Sequence, residues 1–215
     1  MDGPSGAGKS TIAKLIAKEL GFEYLDTGAL YRAVALDLIR LGINEESSDE
    51  ELRAALKKIK VEFRKGLILL NDRDVSQEIR SPEAGHYASV FSARKPVRDH
   101  LMNIQRDAAL HSDLVAEGRD MTTVVFPAAD HKFYLDASVD ERSERRSLEL
   151  ISRGFEVSKD KTHREIMERD VRDSGRDIAP LKQAADAHLI DSTGLSIDTV
   201  FRQILDIIKK DIHEK

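Results

Sequence analysis

Gly3-Pro4-Ser5-Gly6-Ala7-Gly8-Lys9-Ser10 stands near the start of this 215-residue chain. It fits the pattern G-x-x-x-x-G-K-[ST], a glycine-rich turn running into a helix. Each position has a physical task. Gly3, Gly6 and Gly8 let the backbone turn tightly and bring its N–H groups against anionic oxygens. The helix that follows aims its partly positive N-terminus at the same anion. Lys9 adds a full cation for β- and γ-phosphates, and the Ser10 hydroxyl is placed to ligate Mg²⁺. The spacing predicts a polyphosphate cradle made by Gly3, Pro4, Ser5, Gly6, Ala7, Gly8, Lys9, Ser10 and Thr11. The bland alternative is a glycine-rich helix start that holds no nucleotide.

Outward from this loop, helical periodicity alternates with short apolar runs, the pattern of a parallel sheet with crossover helices. Ile12, Leu15, Ile16 and Leu20 share one helical face, closed by Gly21. Phe22–Leu25 reads as a strand and 29–41 as a helix ended by Gly42. Only Met1 and Asp2 precede Gly3, where this motif ordinarily follows a β-strand. That strand is either missing from this sequence or reduced to almost nothing.

The middle of the chain reads differently. Ser48 and Glu51 form a capping box for a helix over about 49–59. Val61–Phe63 and Leu67–Leu70 flank Arg64-Lys65-Gly66 as a hairpin, continued at Asp74-Val75-Ser76. Two apolar runs this close cannot both join a parallel sheet without a crossover. Residues 42–95 are therefore expected to be an insertion in a core made of 1–41 and 96–215. Beyond Pro96 the pattern predicts a helix carrying Val97, Leu101 and Ile104, then strands at 114–116, 132–135 and 188–190. Ser138 with Glu141, Thr162 with Glu165, and Ser196 are the expected starts of three further helices.

Composition narrows the function classes. An apolar fraction of 40% and a charged fraction of 34% describe a globular chain. The net charge of −5 offers no basic field for nucleic acid. No cysteine is present, which excludes disulfides and thiolate metal sites and fits a reducing cytoplasm. No apolar run reaches the roughly 20 residues of a membrane span, and no signal peptide is visible. The seven histidines show no metal-ligand spacing.

With the loop in hand, further segments stand out: LDTGALYRA (25–33), DVSQEIR (74–80), EGRDMTTVVFP (117–127), FYLDAS (133–138), ERDVRDSGRDIAPL (168–181) and DAHLIDSTGLSI (186–197). Together with DGPSGAGKST (2–11), they make the chain resemble the bacterial cytidylate kinase family along nearly its whole length. The resemblance implies an α/β fold of the P-loop NTPase class. It implies a three-layer α/β/α core with a parallel five-stranded sheet, an acceptor-binding insertion at 42–95 and a mobile lid at about 154–178. It implies ATP as donor, CMP or dCMP as acceptor, Mg²⁺, and a monomer in the cytoplasm.

Roles follow residue by residue from the same resemblance. Ser89, Arg98 and Asp120 match residues that read the cytosine, and Tyr31 would sit near the base. Arg32, Arg119 and Arg176 match those holding the acceptor phosphate, and Arg169 and Asp173 those on the sugar hydroxyls. Lys9, Arg119, Arg169 and Arg176 form the expected catalytic set. The chain departs from the family pattern in two places. Thr27, an expected acceptor contact, stands where Ser is also common. Met121-Thr122-Thr123 replaces a stretch with a glycine before the TVVFP run.

The chemistry accounts for these residue types. Phosphoryl transfer between two anions is limited by electrostatics and positioning. Arginine meets that demand because its planar fork binds phosphate oxygens in pairs and stays charged. The second pKa of a phosphate monoester is about 6, so the acceptor needs no general base. Other readings stay open at this level: another acceptor such as UMP or a metabolite alcohol, or a nucleotide switch that transfers nothing. Arg142, Arg145 and Arg146 read equally well as a solvated helix face, and Glu117 as the end of a strand.

Overall fold

A computed structural model describes residues 1–64, 67–110 and 112–213. Helix α1 (Lys9–Leu20) leads into β1 (Glu23–Asp26) and α2 (Thr27–Arg40). Gly21, at φ 71°, ends α1 in the left-handed region as the sequence predicts. The Asp26 side chain caps α2 by accepting from Ala29 N, so α2 begins two residues before the expected start.

The expected insertion holds α3 (Asp49–Leu56), a meander of β2 (Val61–Arg64), β3 (Leu67–Leu70) and β4 (Arg73–Asp74), and α4 (Pro82–Phe91). Ser48 and Glu51 close the capping box in both directions. The hairpin pairs Val61 with Leu70 and Phe63 with Ile68; Lys65 and Gly66 of its expected turn lie outside the described residues. Among the described residues, segment 42–95 shares a single core with α2 and α5 (Lys95–Asp107). Leu52, Ile68, Ile79 and Phe91 pack with Leu30, Val34 and Leu38 of α2 and with Val97 and Leu101 of α5. Burying those side chains between segments distant in sequence fixes the insertion onto α2.

The chain then runs through β5 (Leu114–Glu117), β6 (Phe133–Asp136), α6 (Val139–Ser152), α7 (Lys159–Gly175), β7 (His188–Asp191) and α8 (Ile197–His213). Helix α7 starts three residues before Thr162, because Ser158 accepts from Lys161 N and provides an earlier cap. A second core joins Ile12 and Ile16 of α1 to Phe133, Leu135, Val200 and Ile204.

The parallel strands form two pairs, β1–β5 and β6–β7. Met1 and Asp2 bridge them. The Met1 ammonium donates to Ala116 O at 2.8 Å, and Gly118 N donates to Met1 O at 3.0 Å. On the other side Asp2 N donates to Phe133 O and Leu135 N to Asp2 O, both at 2.8 Å. The described strands form these two parallel pairs joined through Met1 and Asp2, not the expected continuous five-stranded ladder. The parallel α/β arrangement itself is present. Among the described residues no helix is long and apolar enough to cross a membrane.

Candidate active site

The C-terminal ends of β1 and β5, the loop before α1, and helices α2, α6 and α7 enclose one cleft of about 920 Å³. Parallel sheets commonly open their ligand sites at this end. Eleven Lys and Arg side chains line it against six Asp and Glu, in a chain whose net charge is −5. The charge of this cleft is therefore opposite to that of the molecule.

One wall is the glycine-rich loop. Gly3 has φ +148°, and a Cβ there would lie 1.9 Å from Leu135 O, so only glycine lets the loop leave the sheet this closely. Lys9 is buried, and its Nζ donates to Pro4 O at 2.7 Å. Burial, helped by the nearby Arg119 and Arg169 cations, lowers the Lys9 pKa to about 7, against the pull of Glu117. The Ser10 hydroxyl donates to Glu117 Oε1, which also accepts from Tyr24 OH at 3.0 Å. Burial and Glu117 together push the Tyr24 pKa up. Arg142 supports the loop from behind: its guanidinium donates to Ser5 O at 3.2 Å and pairs with Asp170 of α7 at 2.7 Å.

The opposite wall is built of charged side chains from α2, α5, α7 and the loop after β5. Arg98 and Asp120 form an ion pair with each side chain only 3% exposed. Burial raises the Asp120 pKa, while Arg98 and Arg176 pull it back. Asp173 receives Arg119 Nε at 2.9 Å and lies 3.6 Å from Arg169 Nε. Burial opposes its charge, yet Arg119, Arg169 and Arg176 overcome that and hold its pKa near 2. The burial of Arg169, with Arg119 beside it, lowers its own pKa to about 9.

This wall keeps unused donors. Arg32 makes no hydrogen bond or ion pair among the described residues, and burial with Arg146 and Arg80 nearby lowers its pKa. Arg169 Nε and Arg176 Nη2 are buried without a hydrogen-bond partner, although Arg176 donates elsewhere to Ala179 O and Ser92 Oγ. Buried donors are rarely left unmade. Cationic donors converging on one cleft mark a place for an anion.

Comparison with known proteins agrees in one direction. The family profile described as cytidylate kinase matches residues 1–210. A cytidylate kinase of Thermotoga neapolitana is 48% identical, covering 98% of this chain and 96% of its own. One from Thermosipho melanesiensis is 49% identical over 98% and 95%, and one from Thermodesulfovibrio yellowstonii 48% over 98% and 97%. The chain belongs to the cytidylate kinase family. A crystal structure of an uncharacterized protein from Eubacterium ventriosum is similar in fold over 97% of this chain and 96% of its own, with a TM-score of 0.51 at 14% identity.

Of the positions that the cytidylate kinase resemblance singles out, the cleft is lined by Ser5, Gly6, Ala7, Gly8, Lys9, Ser10 and Thr11 on the loop side. Thr27, Tyr31, Arg32, Arg98, Arg119, Asp120, Arg169, Asp173 and Arg176 line the rest. Three expected residues do not. Gly3 and Pro4 lie behind the loop, where close approach to β6 and the Lys9 contact occupy them. Ser89 is buried under the wall with its hydroxyl 3.4 Å from Asp173 Oδ1. Tyr31 is buried with its ring 5.9 Å from the Arg98 guanidinium carbon and its hydroxyl unpartnered.

The sequence leaves Glu117 open as a strand end and Arg142 open as a solvated helix face; the structure brings Glu117 into the cleft and buries Arg142 behind the loop. Their partners, Ser10 for Glu117 and Ser5 and Asp170 for Arg142, lie far away along the chain. The one available signal for Glu117 was its place at the end of a strand before Gly118-Arg119-Asp120. Leu15, Leu195, Ile197 and Val200 add an apolar edge to the cleft beside the loop, and no motif indicated it.

Proposed function

We propose that this chain transfers the γ-phosphoryl group of ATP to CMP, and also to dCMP, releasing ADP with CDP or dCDP. The observation that carries the reading is the pairing of walls: an amide cradle with Lys9 faces buried guanidinium groups with unfilled donors. ATP phosphates lie along Ser5–Thr11, with adenine against the Leu15, Leu195 and Ile197 edge. Arg32, Arg119 and Arg176 hold the acceptor phosphate. An oxygen of that phosphate attacks the γ-phosphorus in line, a new P–O bond forms, and the bond to the β-phosphate oxygen breaks. The nucleophile is already anionic at neutral pH, so no side chain has to take a proton.

Ser10 and Glu117 present a hydroxyl and a carboxylate in hydrogen-bond contact, and these hard oxygen donors suit Mg²⁺. Bound there with ATP, the ion would neutralise charge on the β- and γ-phosphates. Lys9, Arg119, Arg169 and Arg176 spread the remaining charge of the transition state.

Cytosine presents an amino donor where uracil presents a carbonyl. The Arg98–Asp120 pair offers one donor and one acceptor in fixed register, so uracil would leave a buried group unpaired. Arg169 and Asp173 face the sugar, with Ser89 supporting Asp173 from behind. Residues 154–178, the turn after α6 and helix α7, act as the lid that excludes water.

ADP release with ATP and Mg²⁺ across CMP, dCMP, UMP and AMP tests this. CMP and dCMP should drive release, UMP weakly and AMP not at all. Release independent of the acceptor, or equal rates with AMP, would discard the reading.

A further inference from the structure

Asp2 is completely buried and takes no part in the chemistry proposed above. Its carboxylate accepts three hydrogen bonds: from Met121 N at 2.8 Å, Thr122 N at 2.7 Å and Thr122 Oγ1 at 2.6 Å. The donors belong to a single wide helical turn, Met121–Val125, that begins directly after Arg119 and Asp120. The first amides of such a turn have no partners within it. Asp2 satisfies them from 119 and 120 residues away in sequence. Its own backbone is pinned to β6 through Phe133 and Leu135, and Gly3 of the phosphate loop follows it. One residue therefore joins the start of the donor loop to the segment presenting Arg119 and Asp120.

We propose that Asp2 is a positioning residue that sets Arg119 and Asp120 of the acceptor wall against the phosphate loop, with the Thr122 hydroxyl as a dedicated third donor. The inference rests on the reading that Arg119 and Asp120 hold the acceptor nucleotide. Thr122 lies where this chain departs from the family pattern, and its hydroxyl supplies a bond that a glycine there could not. Charge-assisted bonds from a carboxylate to amides are short and directional. Releasing one lets the turn drift, and small displacements at a reacting centre cost rate. The effect should fall on the acceptor and spare ATP, because the loop itself is held by Gly3, Arg142 and β6.

The test uses Thr122→Val, Thr122→Ser, Asp2→Asn and Asp120→Ala in the full chain, with KM for ATP and CMP, kcat, and the CMP:UMP ratio of kcat/KM. Thr122→Val keeps the shape and removes the hydroxyl. It should raise the CMP KM about fivefold and narrow the CMP:UMP ratio by a similar factor, with the ATP KM within about twofold. Thr122→Ser should restore both values, and Asp2→Asn should exceed Thr122→Val. If Asp2→Asn does not fold, the Val/Ser pair decides alone. The proposal is overturned if Thr122→Val leaves CMP KM and the ratio unchanged, if ATP and CMP KM rise together, or if Thr122→Ser is as impaired as Thr122→Val. Asp120→Ala separates the premises. An unchanged CMP:UMP ratio there removes the base-reading assignment and this inference with it; a narrowed ratio with silent Thr122→Val removes this inference alone.

Discussion

The two walls of the cleft are held in shape by different means. The wall proposed for ATP is one continuous loop, Ser5–Thr11, whose geometry comes from backbone conformation and which carries the buried Lys9. The wall proposed for the acceptor draws Arg32, Arg98, Arg119, Asp120, Asp173 and Arg176 from four separate segments, and pairs most of them in the interior. Local backbone geometry survives small changes elsewhere. A buried charge network does not, because removing one member leaves another uncompensated. The donor wall should therefore fail through loss of one strong group, and the acceptor wall through graded loss of fit.

Lys9→Ala should impair turnover most. Taking away the donor-side cation should lower kcat by about 10²–10³-fold in steady-state turnover, with the fold retained. Near-normal turnover would remove Lys9 from charge neutralisation. Arg176→Ala comes next: the loss of a charged phosphate donor should reduce kcat/KM for CMP by about 10–100-fold, seen in CMP titrations at saturating ATP. If neither KM nor kcat moves, the unfilled Arg176 donor does not face a phosphate. Asp120→Ala sharpens the contrast further, because it should act on base choice. The CMP:UMP ratio should narrow by about tenfold, while ATP hydrolysis without acceptor stays as it was.

The smallest effect concerns folding. Asp173 has its pKa held near 2 against an ordinary 3.8, so it binds its proton more weakly folded than unfolded. The resulting stabilisation is present above the unfolded value and is lost as pH falls toward the folded one. Asp173→Asn should cost about 2 kcal/mol at neutral pH, with the gap to the native chain closing below about pH 4. Urea midpoints across that range measure it. A gap that stays constant into acid would show that the three arginines do not depress this carboxyl.

The same contrast decides what the sequence reveals. Gly3, Gly6, Gly8, Lys9 and Ser10 lie within eight positions, and each has a local reason to be there, so the donor wall is legible from spacing alone. The helix caps at Gly21 and Ser48 are legible for the same reason. On the acceptor side, Arg98 meets Asp120 across 22 residues and Arg119 meets Asp173 across 54. No local pattern encodes such pairs, and they became readable only through resemblance to a family. Where neither route assigns a role, only the folded contacts give one. Asp2 looks like a terminal residue until Met121 and Thr122 fold onto it. Arg142 looks like one arginine among several on a polar helix until it is found buried against Ser5. The sheet is the converse case. Alternating elements predict parallel strands, but the link between the two strand pairs runs through backbone bonds of Met1 and Asp2, which no periodicity marks.

If both walls serve one reaction space, two polyphosphate ends meet between them. The direct measurement is inhibition by a single molecule carrying adenosine and cytidine joined through a pentaphosphate, titrated against each substrate in turn. Inhibition should be competitive with both ATP and CMP, with one molecule bound per chain. Competition with ATP alone, leaving CMP saturation unaffected, would contradict it.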